Sequence, residues 1–163
     1  MRSRVQFEES DDPTDSISLT RQLQISRYSS SAYPEQEVAG LLAESVGTPT
    51  DAALKELIES CATDEFPRLY IASFHSALVG VLRVDAYRRS QCTITHIAVA
   101  HRFRGQGIGQ RLIEFIRDEM NFVQAEAETD NDALGFYRAC GFEIDSLGED
   151  GFGTKRFRCV IRF

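Results

Sequence analysis

A run of closely spaced glycines, set between an apolar strand and an amphipathic helix, constrains this chain more than any other feature. The run spans residues 104–110 and reads RGQGIGQ. Residues 93–99 before it are rich in β-branched side chains, which indicates a buried strand, and apolar residues recur at helical spacing from Ile108 to Met120 after it. Glycine permits a positive φ and carries no Cβ, while the first N–H groups of a helix attract anions. Because no acid occurs between Val99 and Glu114, this junction predicts a phosphate-binding turn.

The spacing of the glycines excludes two common phosphate motifs. A dinucleotide-binding fingerprint requires Gly or Ala at its sixth position, where this chain has Gln110, and a P-loop requires a lysine that the run lacks. What remains is Arg-x-x-Gly-x-Gly, formed by Arg104, Gly107 and Gly109. A second segment follows, in which Ala133, Tyr137 and the pair Gly141-Phe142 are spaced as a helix that leads into a strand.

These two segments, in this order, closely resemble the acetyl-CoA signature and the later helix–strand segment of the GNAT superfamily of N-acetyltransferases. The resemblance covers residues 19–163 and implies an α/β (α+β) fold, a mixed and mostly antiparallel sheet of about seven strands flanked by four helices. It implies an enzyme that moves acetyl from acetyl-CoA to a primary amine by direct attack on the thioester. A catalytically silent CoA-binding sensor, an acyltransferase that uses another acyl-CoA and a non-catalytic nucleotide-binding module are the alternatives.

The same resemblance assigns the residues that would bind the coenzyme. The backbone of Ile97, Ala98 and Val99 would pair with the pantetheine arm, and a backbone N–H there could also stabilise an oxyanion. Asp130 occupies a position where an Asn often contacts the coenzyme arm; an Asp only accepts hydrogen bonds, although it can cap a helix. The residues expected to hold the pyrophosphate are Arg104, Gly105, Gln106, Gly107, Ile108, Gly109 and Gln110.

Tyr137 lies where the family commonly has its general acid, and it is also expected to contact the coenzyme. A phenol with its ordinary pKa of about 10 can protonate a thiolate leaving group and yet stay protonated at neutral pH. The alternative is a tyrosine that only packs in the core.

The sequence does not identify the base that would remove the proton from the amine. His96 has an ordinary pKa close to neutrality, but strict alternation along the strand would turn it away from the face of Thr93 and Thr95. A packed histidine is therefore the alternative. Glu126 and Glu128 share one face of the fifth strand and could bind a cationic acceptor or take its proton through water; a solvated acidic edge is the alternative.

Composition and net charge limit which partners and which cellular compartment we expect. A net charge of −7 over 163 residues argues against nucleic acid as the main partner, and no apolar run is long enough to span a membrane. The acceptor is expected to be a small-molecule amine or an amine of a protein or peptide. The cysteines form neither a C-x-x-C pair nor a zinc spacing with histidine, so we expect no metal site and reduced thiols in a cytoplasmic protein.

The chain is expected to comprise an acidic N-terminal extension over residues 1–18, with a short strand at 4–7, and one domain over 19–163. A final strand that is exposed could pair across a homodimer. Thr50 is expected to cap a helix. Periodicity predicts strands at 19–26, 68–74, 78–87, 93–99, 122–128, 142–147 and 156–163, and helices at 34–46, 51–62, 108–120 and 130–140.

Overall fold

The computed structural model describes residues 22–45, 47 and 49–163. The predicted extension over 1–18, the predicted strand at 4–7 and the start of the predicted first strand lie outside the described residues. The described elements, in chain order, are β1 (Gln24–Arg27), α1 (Glu35–Ala43), α2 (Asp51–Glu59), β2 (Arg68–Phe74), β3 (Ala77–Arg88), β4 (Gln91–Val99), a 3₁₀ turn (His101–Phe103), α3 (Ile108–Asp118), β5 (Gln124–Thr129), α4 (Leu134–Ala139), β6 (Glu143–Glu149) and β7 (Lys155–Arg162).

The seven strands form one sheet in the order β1-β2-β3-β4-β5-β7-β6. All neighbouring strands are antiparallel except β4 and β5, which are parallel. This confirms the mixed, mostly antiparallel sheet and the four helices that the resemblance implied. The prediction that the final strand is exposed is wrong, however. β7 pairs with β5 on one side and β6 on the other, so β1 and β6 are the edges of the sheet that the described residues form.

Two helices cover each face of the sheet. On one face α3 and α4 pack through Leu112, Ile116 and Leu134, and on the other face α1 and α2 pack through Leu42 and Ile58. Strands covered on both faces need few polar positions, and the five central residues of β2 are accordingly all buried. We call these the α3/α4 face and the α1/α2 face.

A β-bulge in β4 breaks the alternation of its side chains. Arg83 lies opposite His96, but the next pair joins Val84 to Ile94, so Thr95 is one extra residue in the strand. An extra residue shifts every later side chain to the opposite face. The prediction that His96 turns away from the face of Thr93 is therefore wrong. His96 and Thr93 lie opposite Arg83 and Asp85 of β3, which share the α1/α2 face.

One predicted helix start is confirmed by the structure, and another lies later in the chain than predicted. Thr50 has an extended backbone, and its Oγ1 accepts a 3.2 Å hydrogen bond from Ala53 N, so the predicted N-cap of α2 is confirmed. α4 begins only at Leu134, because the Asp130 carboxylate accepts a hydrogen bond from Asp132 N and closes a turn before the helix. None of the helices in the described parts of the chain is long and apolar enough to span a bilayer.

Candidate active site

The glycine run forms the connection between β4 and α3. After the 3₁₀ turn, Gly105 and Gly107 take φ angles of +74° and +81°. Gly107 is the N-cap of α3 and its left-handed backbone reverses the chain direction into the helix. Residues with a Cβ rarely adopt such a backbone, so the position of the first turn of α3 depends on glycine here.

The start of α3 leaves a row of backbone donors free. The N–H groups of residues 105–110 donate no hydrogen bond to any residue that the structure describes. The first helical bond outside this row runs from Arg111 N to the carbonyl of Gly107, and the first turn contains no acidic residue and no side-chain cap. Unsatisfied donors at the positive end of a helix form a cradle for an anion of the charge of a diphosphate.

The sheet opens beside this cradle. β4 pairs with β5 only through the three residues 91–93, so the β5 side of residues 94–99 has no strand partner among the described residues. Ala100 N donates to the carbonyl of Val79, and the alternation of an antiparallel ladder then directs the backbone groups of Ile97 and Val99 toward the opening. The backbone groups of Ala98 face β3 instead, and its side chain is buried on the α1/α2 face. Two of the three strand residues predicted to pair with the coenzyme thus line the opening.

Arg104 and Arg111 flank the cradle, but both side chains already have partners. Arg104 donates from Nε to the carbonyl of Val99 at 3.0 Å, and its Nη2 binds the carboxylate of Glu44 at the end of α1. Arg111 forms an ion pair with Glu114 one turn later in α3. Arg104 therefore ties the loop to α1, a role that its position in the motif did not indicate.

The remaining predicted binding residues surround the cradle less directly. Gln106 donates from its side chain to the carbonyl of Arg102, and Gln110 donates to the Glu114 carboxylate. Ile108 is buried in the core and can offer only its N–H group to a ligand. Asp130 has its carboxylate engaged in the turn before α4.

The ring of Tyr137 is linked to the cradle through the ring of Phe136. A Cβ on Gly109 would lie 2.6 Å from the Phe136 ring, so glycine lets α4 pack directly onto the first turn of α3. Phe136 meets the Tyr137 ring edge-on at 5.1 Å, and Phe142 meets it at 5.0 Å. Burial raises the pKa of Tyr137, with smaller contributions from the thiols of Cys159 and Cys140. The phenol therefore keeps its proton throughout the neutral range.

His96 belongs to a polar cluster on the α1/α2 face. Its Nδ1 lies 3.2 Å from Thr95 Oγ1, and Arg83 donates to Thr95 Oγ1 at 2.8 Å and to Ser60 Oγ at 3.2 Å. Burial, and secondarily the charge of Arg83, lower the pKa of His96 to about 4. The histidine is therefore neutral at physiological pH and a weaker base than an exposed one. Arg83 and Ser60 carried no recognisable signal in the sequence, because the bulge and α2 bring them together.

Glu126 lies on the same face but is already paired. Arg158 of β7 contacts Glu126 Oε2 with both Nη2, at 2.5 Å, and Nε, at 3.2 Å. Both contacts use one carboxylate oxygen, so Oε1 makes no hydrogen bond to a described residue. Thr93 lies directly opposite Glu126 in the parallel pair. The structure thus brings Thr93, His96 and Glu126 to one face, and Tyr137 to the other.

The lowered pKa of His96 predicts a stability that falls in mild acid. Below its ordinary pKa of 6.5 and down to about 4, the unfolded chain binds a proton that native His96 does not, so the free energy of unfolding decreases as the pH decreases through that window. Allowing for solvent screening, we expect a loss of roughly 1 kcal/mol between about pH 7.5 and about pH 5. Urea unfolding of the wild type and of His96→Asn at both pH values measures it.

The matched control for this prediction is His101→Asn, at an exposed histidine. It should keep the full pH dependence of the wild type, whereas His96→Asn should lose the part between the two values. An identical dependence in wild type and His96→Asn would show that the imidazole is not held neutral by its surroundings.

Comparison with known proteins agrees with this geometry. The family described as "Acetyltransferase (GNAT) domain" matches residues 65–144. Streptothricin acetyltransferase of Escherichia coli is 29% identical over 107 residues, which are 62% of this chain and 62% of that protein. The crystal structure of a GNAT family acetyltransferase from Elizabethkingia anophelis with acetyl-CoA bound superposes with a TM-score of 0.62 at 18% identity, covering 87% of this chain and 99% of the other.

A dodecameric spermidine N-acetyltransferase from Vibrio cholerae superposes with a TM-score of 0.68 at 16% identity, covering 87% of this chain and 94% of the other. At these identities the two structures support the fold alone. Residues 65–144 thus match an acetyltransferase domain of the GNAT superfamily, and the described chain has the GNAT fold. The match to the streptothricin enzyme spans less than two thirds of that protein's length.

Proposed function

We propose that this protein transfers an acetyl group from acetyl-CoA to a primary amine, which attacks the thioester directly. The observation that carries the proposal is the row of free N–H groups over residues 105–110 beside the opening between β4 and β5. Six donors without a partner among the described residues, in a first helical turn that contains no acid, suit a diphosphate. An open strand edge suits an extended amide-bearing arm.

Acetyl-CoA would supply the activated acetyl group. The residues of this chain would bind the coenzyme and would accept and donate the protons. The loop N–H groups would hold the diphosphate, and the backbone of Ile97 and Val99 would pair with the pantetheine arm. A backbone N–H on this part of β4 could also stabilise developing negative charge on the carbonyl oxygen. Tyr137, whose raised pKa keeps its proton on Oη, would donate that proton to the departing sulfur.

Glu126 is the better candidate of the two for removing the proton from the amine. Its Oε1 has no hydrogen-bond partner among the described residues, while Arg158 fixes the side chain through Oε2. His96 is less suited, because burial and the charge of Arg83 both oppose formation of the imidazolium. The acceptor can be a small molecule or a protein amine; the names of the streptothricin and spermidine enzymes support a small polar amine.

The test is release of free thiol from acetyl-CoA in the presence of an amine panel that includes spermidine, free lysine and a peptide amino terminus. We expect release that depends on both acetyl-CoA and an amine, with an amine-free reaction as the blank for the protein's own thiols. Faster release from succinyl-CoA would favour a different acyl donor. If CoA binds but no amine supports release, the protein is a sensor and the proposal fails.

Two variants in the same assay separate the roles on the α1/α2 face. Glu126→Gln should lower the rate by about 10²-fold or more if Glu126 accepts the proton. Glu128→Gln changes the other carboxylate of this predicted pair, which is exposed whereas Glu126 is half-buried, and it should stay close to wild type if Glu126 alone accepts the proton. Equal rates for the two variants would remove Glu126 from the mechanism without affecting the acetyl transfer itself.

A further inference from the structure

A second concave site lies at the far end of α3 from the glycine run. A cleft of about 730 Å³ opens between the start of β2, the end of β3 and the end of α3. The glycine run is at the N-terminus of the same helix, whose eleven residues separate the two by about 16 Å along the axis. We call this second site the arginine–aromatic cleft, and the volume of the cleft is in the range of small-molecule sites.

Positive charge gathers on the rim of this cleft. Arg68, Arg88 and Arg89 line it together with a single acid, Glu119, although the chain as a whole has a net charge of −7. None of the three arginines forms an ion pair with a carboxylate among the described residues. Six of the ten other arginines in the described chain form such an ion pair, whereas all three arginines of this rim lack one.

One of these guanidinium groups is held in place before any ligand arrives. Arg68 donates from Nη2 and Nε to the carbonyl of Asp64, at 2.5 and 3.2 Å. Its guanidinium carbon also lies 4.4 Å from the centre of the Phe66 ring. Two backbone contacts and a cation–π contact reduce the side-chain entropy that binding would otherwise cost.

The walls of the cleft are aromatic. Phe66 meets Phe122 edge-on at 5.8 Å, and Tyr70 meets Phe115 edge-on at 5.1 Å. Phe66 and Phe115 are only partly buried, so ring surface remains available to a ligand. Such walls favour a flat apolar body, and arginine favours a carboxylate or phosphate through paired N–H donors.

We propose that the arginine–aromatic cleft binds a small organic anion that carries its carboxylate or phosphate on a flat apolar ring system. The oxyanion would lie against the arginine rim and the ring against the aromatic walls. This site is separate from the acetyl-transfer site and does not depend on the proposed function.

The experiment is calorimetric titration of the full chain with 2-naphthoate and with naphthyl phosphate, in the presence of excess CoA so that the glycine run is filled. The neutral analogue naphthalene methanol is titrated alongside. We expect both anions to bind, the better one identifying the preferred head group, and the neutral analogue to bind about tenfold more weakly or worse. Binding need not involve CoA, so a chain that fails to bind CoA still gives a readable result.

The variant Arg88→Ala/Arg89→Ala should weaken binding of the anions by about tenfold or more. The matched control Lys155→Ala/Arg156→Ala removes the same charge from β7, outside the cleft, and should leave binding unchanged. All four side chains reach the surface to some degree, so unaltered melting temperatures are expected and are checked. Equal weakening in both double variants, equal affinity for the neutral analogue, or no binding of either anion at millimolar concentration would each overturn the proposal.

Discussion

Replacing Tyr137 with Phe is expected to lower kcat for acetyl transfer by about 10²- to 10⁴-fold, the contribution typical of a general acid. The substitution removes only the hydroxyl, so the edge-on contacts of the ring with Phe136 and Phe142 remain. Because burial holds the pKa of Tyr137 above its ordinary value, the wild-type phenol stays protonated across the assay range. Steady-state kinetics with a fixed amine and varied acetyl-CoA measure the effect.

The control for this prediction is Tyr70→Phe, since Tyr70 is equally buried but packs against Phe115 near the far end of α3. It should keep the wild-type kcat. Tyr137→Phe should leave KM for acetyl-CoA nearly unchanged, because the interaction it removes is made in the transition state. A Tyr137→Phe enzyme with wild-type kcat would identify Tyr137 as a packing residue.

The fold was largely predictable because its signals are local. Side-chain periodicity located most strands and helices, since a buried face imposes a period of two on a strand and 3.6 on a helix. The Thr50 cap was predictable for the same reason: the hydroxyl and the N–H that it accepts are three residues apart. The boundaries were less accurate, as at α4, where a side-chain hydrogen bond of Asp130 competes with the helix start.

Long-range features were not predictable from the same patterns. The bulge at Thr95 reverses the facing of His96, and nothing in the residues 93–99 distinguishes a regular strand from a bulged one. The position of β7 between β5 and β6 likewise depends on which strands meet in space. The alternation of apolar and charged residues in β7 indicates one buried face but does not reveal whether the strand lies at an edge.

In the candidate site, too, the features with a local sequence signal were predictable and those that depend on distant residues were not. The glycine run was identified from spacing, because its chemistry comes from the backbone and from the lack of side chains. The partners that fix the charged residues were missed: Glu44 lies sixty positions from Arg104, and Arg158 thirty-two from Glu126. Such pairs change what a charge can do. Arg104 joins the loop to α1, and Glu126 keeps one oxygen that has no hydrogen bond to a described residue.

Replacing Gly107 with Ala is expected to weaken binding of acetyl-CoA by about 10- to 100-fold, measured as KM and as Kd for CoA. Gly107 has a φ of +81° and caps α3, and a Cβ costs about 1–2 kcal/mol in that backbone. Relief of the strain would rotate the peptide units of the first turn, so the N–H groups of residues 105–110 would no longer converge on one anion. Each hydrogen bond lost to a charged group costs about 1.5–3 kcal/mol, which corresponds to this loss of affinity.

The effect of backbone strain must be separated from the effect of losing the converging N–H groups. The variant Gly153→Ala separates the two. Gly153 has a nearly equal φ of +79° but lies in the turn between β6 and β7, with nothing within 4 Å of an added Cβ. Both variants should therefore lose similar stability in urea, because both force alanine into a left-handed backbone. Only Gly107→Ala should lose affinity for CoA, and its kcat at saturating acetyl-CoA should fall less than that of Tyr137→Phe. Equal CoA affinity in the two variants would mean that the donors at the start of α3 do not hold the diphosphate.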